Sequence, residues 1–148
     1  MGTDIEALPA YIPRYAWPHV PWNGPTCKDE LMSLEWEQVI VDCTDPVALG
    51  RWWAAALEWV VVNEDPEEVE IRPAPEQVPG LLFTRVPEPK TVKNRLHLDF
   101  RPDDQAAEVA RFEALGATRA DIGQGEQRWI VMSDPEGNEF CVLSSRHR

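Results

Sequence analysis

His97 and Asp99 alternate in the stretch Asn-Arg-Leu-His-Leu-Asp-Phe, residues 94–100. If that stretch is a strand, side chains two apart share a face, so an imidazole and a carboxylate stand side by side. A carboxylate beside an imidazole tunes its basicity, which is what a general acid–base pair requires. Leu96, Leu98 and Phe100 take the opposite face, the one expected to pack on helices. Further along, Cys141 sits in Asn-Glu-Phe-Cys-Val-Leu, a second alternating stretch that follows a tight turn at Asp134-Pro135-Glu136-Gly137. Taken alone, His97 reads more readily as a half-buried strand histidine hydrogen-bonded to Asp99. Cys141 alone reads as a small buried hydrophobe. The chemistry depends on whether these residues face a cavity.

Other reactive patterns are missing from the sequence. There is no G-x-S-x-G, no P-loop and no G-x-G-x-x-G, and Gly123-Gln124-Gly125 reads as a turn. Cys27, Cys43 and Cys141 are odd in number and form no C-x-x-C pair. A disulfide framework is therefore not expected, and a reducing, cytoplasmic setting is. The formal charge of −12 repels phosphate backbones and anionic lipid, which excludes nucleic acid and membrane surfaces as expected partners and leaves a small molecule. No apolar run approaches a membrane span, and the first residues, Met-Gly-Thr-Asp-Ile-Glu-Ala, lack the basic and apolar regions of a signal peptide. Seven tryptophans in 148 residues is a large supply of flat surface for an aromatic guest, although most are expected in the core.

The elements that must position these residues come in two similar runs. Trp36–Cys43 is rich in β-branched residues and predicts a strand. Asp45 followed by Pro46 predicts a capped helix start, with the helix running to Trp59. Strands are predicted over 59–63, 68–73 and 80–86. The plan then repeats: a strand over 94–100, a helix over 102–116, and strands over 117–122, 127–132 and 138–144. Ala107, Val109, Ala110, Phe112 and Leu115 supply the second helix with apolar residues, and Gly116 suits its C-terminus. Gln38 precedes Asp45 by seven residues, and His97 precedes Asp104 by seven. That matching spacing supports an internal repeat, with modules at about 36–90 and 91–148. Residues 1–35 differ: five prolines interleave with Tyr11, Tyr15, Trp17 and Trp22, predicting an irregular arm that lies against a domain.

Three stretches, "VIVDCTDPVALGRWWAAALEW", "NRLHLDF" followed by "EALGA", and "WIVMSDPEGNEFCVL", resemble the vicinal oxygen chelate superfamily, the glyoxalase/bleomycin resistance fold, and within it the glyoxalase-like domain. The resemblance covers about residues 36 to 146. It implies an α+β fold: two βαβββ modules whose mixed and antiparallel strands curl around a cavity, usually in a homodimer. Members include metal-dependent lyases, isomerases, epimerases and ring-cleaving dioxygenases, and also metal-free proteins that sequester drugs. Fold alone does not choose among these.

The resemblance also places the metal ligands of such enzymes on the first and last strands of each module. Gln38 and His97 stand at the first-strand positions. Cys141, seven residues after Asp134, stands where metalloenzymes carry a glutamate. The first-module counterpart falls among Leu82, Phe83, Thr84 and Arg85, where there is no carboxylate. Hard divalent ions want oxygen donors, so they lose most of their attraction here. Zinc accepts His and Cys together and could use Gln38, His97 and Cys141, but no metal is the favoured expectation. The expected ligand-binding residues are Gln38, Trp53, Phe83, His97 and Cys141, around a small organic, possibly aromatic, molecule. The competing expectation is an enzyme, a lyase, isomerase or dioxygenase, with His97 and Asp99 as its catalytic pair.

Overall fold

The computed structural model describes residues 34–146. The arm expected over 1–35 lies almost wholly outside them. The chain runs β1 (Gln38–Cys43), α1 (Pro46–Leu57), β2 (Val60–Glu64), β3 (Glu68–Arg72), β4 (Gly80–Arg85), β5 (Leu98–Phe100), α2 (Gln105–Ala114), β6 (Thr118–Arg119), β7 (Ile130–Ser133) and β8 (Glu139–Val142). The strands form two four-stranded sheets, β1-β4-β3-β2 and β5-β8-β7-β6. In each sheet the first strand of the module pairs parallel with the last, and the remaining pairs are antiparallel. The strand, helix, three-strand plan is therefore present twice, in the same order and the same pairing.

Both helices start as their sequences dictate. The Asp45 carboxylate accepts from the Ala48 N–H at 3.0 Å, and the Asp104 carboxylate accepts from the Ala107 N–H at 3.1 Å. Each satisfies a donor that the first helical turn leaves unpaired. Pro46, at the start of α1, has no N–H to lose.

One apolar core serves both modules. Leu49 and Trp53 of α1 pack with Val69, Ile71, Leu81 and Phe83 of the first sheet and with Phe112, Met132 and Phe140 of the second module. Gly50 is where α1 comes closest to the first sheet. A Cβ built there would meet the Val69 side chain at 2.5 Å. The Gly50→Ala variant is expected to lose about 1–3 kcal/mol through overpacking, read as a lowered urea midpoint at unchanged m-value.

The turn between β7 and β8 fastens the modules together. Asp134 is buried, and its carboxylate accepts from the backbone N–H groups of Glu136 and Asn138, from the Asn138 side-chain amide, and from the Trp53 indole at 3.0 Å. Glu136 reaches the start of α1, where its carboxylate accepts from the N–H groups of Thr44 and Asp45, each at 2.8 Å. A carboxylate at a helix N-terminus is also favoured by the helix dipole. Gly137 has φ +86°, a backbone this turn requires and that side-chain-bearing residues rarely adopt.

The strand expected over 94–100 is shorter than its pattern. It begins only at Leu98, and Leu96 is 87% exposed instead of lying on the helix-packed face. The ladder explains this. Leu98 pairs with Phe140, one residue into β8, so residues before it have little strand left to pair with. The Asn94 N–H donates instead to the Glu139 carboxylate at 2.9 Å. A side chain, not a ladder, holds the approach to β5.

Candidate functional site

The second sheet has two unlike faces. Phe140 and Val142 of β8, with Leu98 and Phe100 of β5, turn toward the helices and the core. Asp99 pairs with Cys141, and Val131 of β7 pairs with Cys141 from the other side. These three side chains lie on the opposite face, and there a cavity of about 310 Å³ opens. Ile122, Trp129, Val131 and Leu143 form its apolar wall. Lys93, His97, Asp99, Gln124, Glu139 and Cys141 supply its polar and polarisable groups.

At one end of this cavity three possible donors converge. His97 Nε2 lies 3.3 Å from Asp99 Oδ1. One donor atom from each of His97, Asp99 and Cys141 falls within 4.8 Å of the others. Cys141 is buried, whereas His97 and Asp99 are exposed to the cavity and to solvent. Burial, reinforced by the charge of Asp99 and a hydrogen bond to it, pushes the Cys141 thiol up to about 11. At neutral pH it is therefore a protonated, weakly polar wall group and not a nucleophile.

Beside it, Glu139 stays ionised. Burial works to raise its pKa, but the Asn94 N–H and the Lys90 ammonium, each at 2.9 Å, outweigh it and hold the carboxyl below its ordinary value. Glu139 thus serves as the anchor of the 86–97 loop, which carries Lys93 and His97 to the cavity rim.

Of the expected site residues, the fold brings His97, Asp99 and Cys141 together and separates the rest. Trp53 is 3% exposed and belongs to the shared core, with its indole N–H spent on Asp134. Phe83 is fully buried opposite Val41, on the helix-packed face of the first sheet. Neither lines the cavity, because α1 is sandwiched between the modules and the parity of β4 sends Phe83 inward. Gln38 pairs with Gly80 in the first sheet and is not among the cavity's lining residues. Among the described residues, the lining comes wholly from the second module. The register puts Leu82, paired with Ile40, where Cys141 pairs with Asp99.

Sequence reasoning passed over Lys93, Ile122, Gln124, Val131 and Leu143. Val131 was within reach, since it alternates with the core residues Ile130 and Met132. Ile122 and Gln124 lie in a loop whose pattern says only that the chain turns.

The donor set also decides which ions the site suits. In the cluster a hard ion finds one carboxylate, Asp99, where it would want several oxygens, and the cavity's other carboxylate, Glu139, is engaged by Lys90 and the Asn94 N–H. A softer ion finds nitrogen, oxygen and sulfur at spacings that zinc accepts, although the thiol would first have to give up its proton.

Comparison with known proteins bears on the whole of this domain. The sequence profile of the family described as "Glyoxalase-like domain" matches residues 38–143. No curated protein sequence matches the chain. Solved structures similar in fold include a glyoxalase/bleomycin resistance protein/dioxygenase family enzyme from Burkholderia phytofirmans PsJN, with TM-score 0.57 and 18% identity over 74% of this chain and 97% of that one. TnmS3, an antibiotic binding protein from Streptomyces sp. CB03234, has TM-score 0.57 and 18% identity over 78% and 100% of the two chains. A variant of the fosfomycin resistance protein FosX from Listeria monocytogenes, complexed with Mn(II) and a dihydroxypropylphosphonic acid, has TM-score 0.56 and 14% identity over 78% and 93%. At these identities the likeness is one of fold.

Proposed function

The chain belongs to the glyoxalase-like domain family, and from that premise we propose that it binds a small, planar, largely apolar organic molecule in the cavity of its second module, without a divalent metal. The observation that carries this reading is the lining: a wall of Trp129, Ile122, Val131 and Leu143, with a protonated Cys141 where a hard ion would need a carboxylate. Pockets of this size, apolar with a few convergent polar groups, are the usual form of small-molecule sites. His97 and Asp99 orient the guest by hydrogen bonding at the polar end. The antibiotic-binding function of TnmS3, which shares the fold, is consistent with this reading.

The same reading takes the protein as a cytoplasmic homodimer. Cys43 and Cys141 are free thiols. The edge strand β2 exposes Val60, Val61 and Val62 in a row, a surface that pairing with a second copy would cover.

Calorimetric titration with a naphthol tests the binding reading. Near-stoichiometric binding is expected, and a Leu143→Arg variant, which puts a charge in the apolar wall, should weaken it about tenfold or more. No heat from the wild-type protein with any planar aromatic probe would end the proposal.

The clustering of His97, Asp99 and Cys141 favours a second reading, an enzyme of lyase, isomerase or dioxygenase type. Zinc, if held by these three side chains, would supply Lewis-acid polarisation of a substrate oxygen. His97 would then orient or shuttle a proton at the mouth of the cavity, with Asp99 setting its position. Equilibrium dialysis against zinc separates the readings: binding abolished in His97→Ala and Asp99→Ala supports the second, and sub-stoichiometric metal supports the first.

A further inference from the structure

The cavity does not stand alone. A second hollow of about 450 Å³ lies beside it, bounded by Arg119, Ala120 and the 124–127 loop. The two share Gln124, Trp129 and Val131 as a common wall. Val131 is buried in β7 and fixed by its ladder, and the Gln124 side chain is tied to the Ile122 N–H and the Ala120 carbonyl, which leaves the Trp129 ring, 39% exposed, as the aromatic part of that partition.

Trp129 also differs from Trp52 and Trp53, the two tryptophans of α1. Trp52 and Trp53 meet edge to face and pack against phenylalanines, and their indole N–H groups donate to the Leu115 carbonyl and the Asp134 carboxylate. Among the described residues, Trp129 makes no ring contact with another aromatic and its N–H has no hydrogen-bond partner. A buried or half-buried indole usually finds one. The ring lines both hollows and is partly exposed, with no aromatic neighbour or hydrogen bond already engaging it among the described residues.

The loop that carries the ring is braced. Gly123 N–H donates to Asp121 at 2.8 Å, Ile122 N–H to the Gln124 side chain at 2.8 Å, and the Gln127 amide to the Gln124 carbonyl at 2.9 Å. Gln105 of α2 donates to the Arg128 carbonyl at 2.9 Å, tying down the residue next to Trp129. Gly123 and Gly125, at φ +80° and +64°, allow the tight path. This is a built wall and not a swinging lid.

We propose that Trp129 is the specificity-determining residue of the cavity: its ring both stacks on the guest and closes off the second hollow, restricting the site to compact planar molecules and excluding longer polycyclic ones. The inference rests on the binding reading above and adds the size class of the ligand. Removing the ring merges two hollows, so a longer guest gains space while a compact one loses its stacking partner.

The test is a two-probe titration of the full chain with a naphthol and with pyrenemethanol, on wild type, Trp129→Ala and Trp129→Phe. Wild type should prefer the naphthol. Trp129→Ala should weaken the naphthol about tenfold and leave pyrenemethanol equal or tighter, so the preference ratio inverts. Trp129→Phe, which keeps a ring in place, should retain the wild-type ranking. Circular dichroism of the partly exposed Trp129→Ala variant should match wild type, and if it does not, the Phe variant and a Trp129→Leu variant carry the comparison. Wild type binding naphthol while every variant keeps the same ratio would overturn the partition and leave the binding reading standing. Wild type binding neither probe would overturn both.

Discussion

Replacing Trp53 with alanine will lower the unfolding free energy by about 3–5 kcal/mol, the range for deleting a buried aromatic ring. The ring is 3% exposed and meets Trp52 and Phe140 at centroid distances of 5.1 Å and Phe100 at 5.8 Å. It is the main piece of α1 inserted into the second module. The substitution also strips one donor from the buried Asp134 carboxylate, and an under-satisfied buried acceptor adds its own cost. Trp53→Phe keeps a six-membered aromatic ring in the core while removing the N–H donor with the rest of the indole, and is expected to cost less than Trp53→Ala, about 1–3 kcal/mol. Urea unfolding followed by far-UV circular dichroism measures both. A Trp53→Ala protein with a wild-type midpoint and altered affinity for a naphthol would instead return Trp53 to the cavity wall.

That experiment bears on the main difference between the chain's local patterns and its fold. The two modules could be read from local signals, because helix caps at Asp45 and Asp104 and the alternating runs around them are short-range features. The His97, Asp99 and Cys141 cluster could be read too, since a strand's period of two fixes which side chains share a face. Phe83 shows the limit of that rule. A one-residue difference in register exchanges the faces of a strand. Only the pairing of Leu82 with Ile40, matching Cys141 with Asp99, reveals that Phe83 points inward. Trp53 fails for another reason. Helical periodicity predicts one buried stripe, but α1 lies between two modules, and Leu49, Gly50, Trp53, Ala54 and Ala56 are all buried. The 121–128 loop has no period at all, so its role as a wall depends on what β7 and α2 place beside it.

The divided lining has a consequence for mechanism. Among the described residues, the first sheet supplies no donor to the cavity, and its polar groups all come from the second module. Its position relative to α1 depends on the turn in which Asp134 and Glu136 bind across the module boundary. That turn leads directly into β8, which carries Glu139 and Cys141. Weakening the fastening should therefore disturb the site as well as the core.

Cys43 reports on that fastening through pH. It ends β1 just before α1, is 2% exposed, and its thiol makes a weak contact with the Thr84 carbonyl at 3.6 Å. Burial first, and then the carboxylates of Glu136, Asp45, Asp134 and Asp42, push the thiol up from 9.0 to about 12. The unfolded chain has an ordinary thiol, so as pH rises past 9 it releases its proton while the folded chain keeps it. The unfolded state then binds fewer protons than the native one, and stability falls with pH. The contribution is fully present below pH 9 and gone above about 12. At 1.36 kcal/mol per pH unit, about 2 kcal/mol is lost by about pH 10.5, and on the order of 4 kcal/mol across the window. Other groups titrate in the same range, so the decisive quantity is a difference. Cys43→Ala will start less stable at pH 8 because of the cavity it leaves, but will lose about 2 kcal/mol less than wild type between pH 8 and about 10.5. Urea unfolding at the two pH values gives both slopes. Equal slopes would mean that water reaches the Cys43 thiol, and that the acidic turn of the second module is not closed over the start of α1.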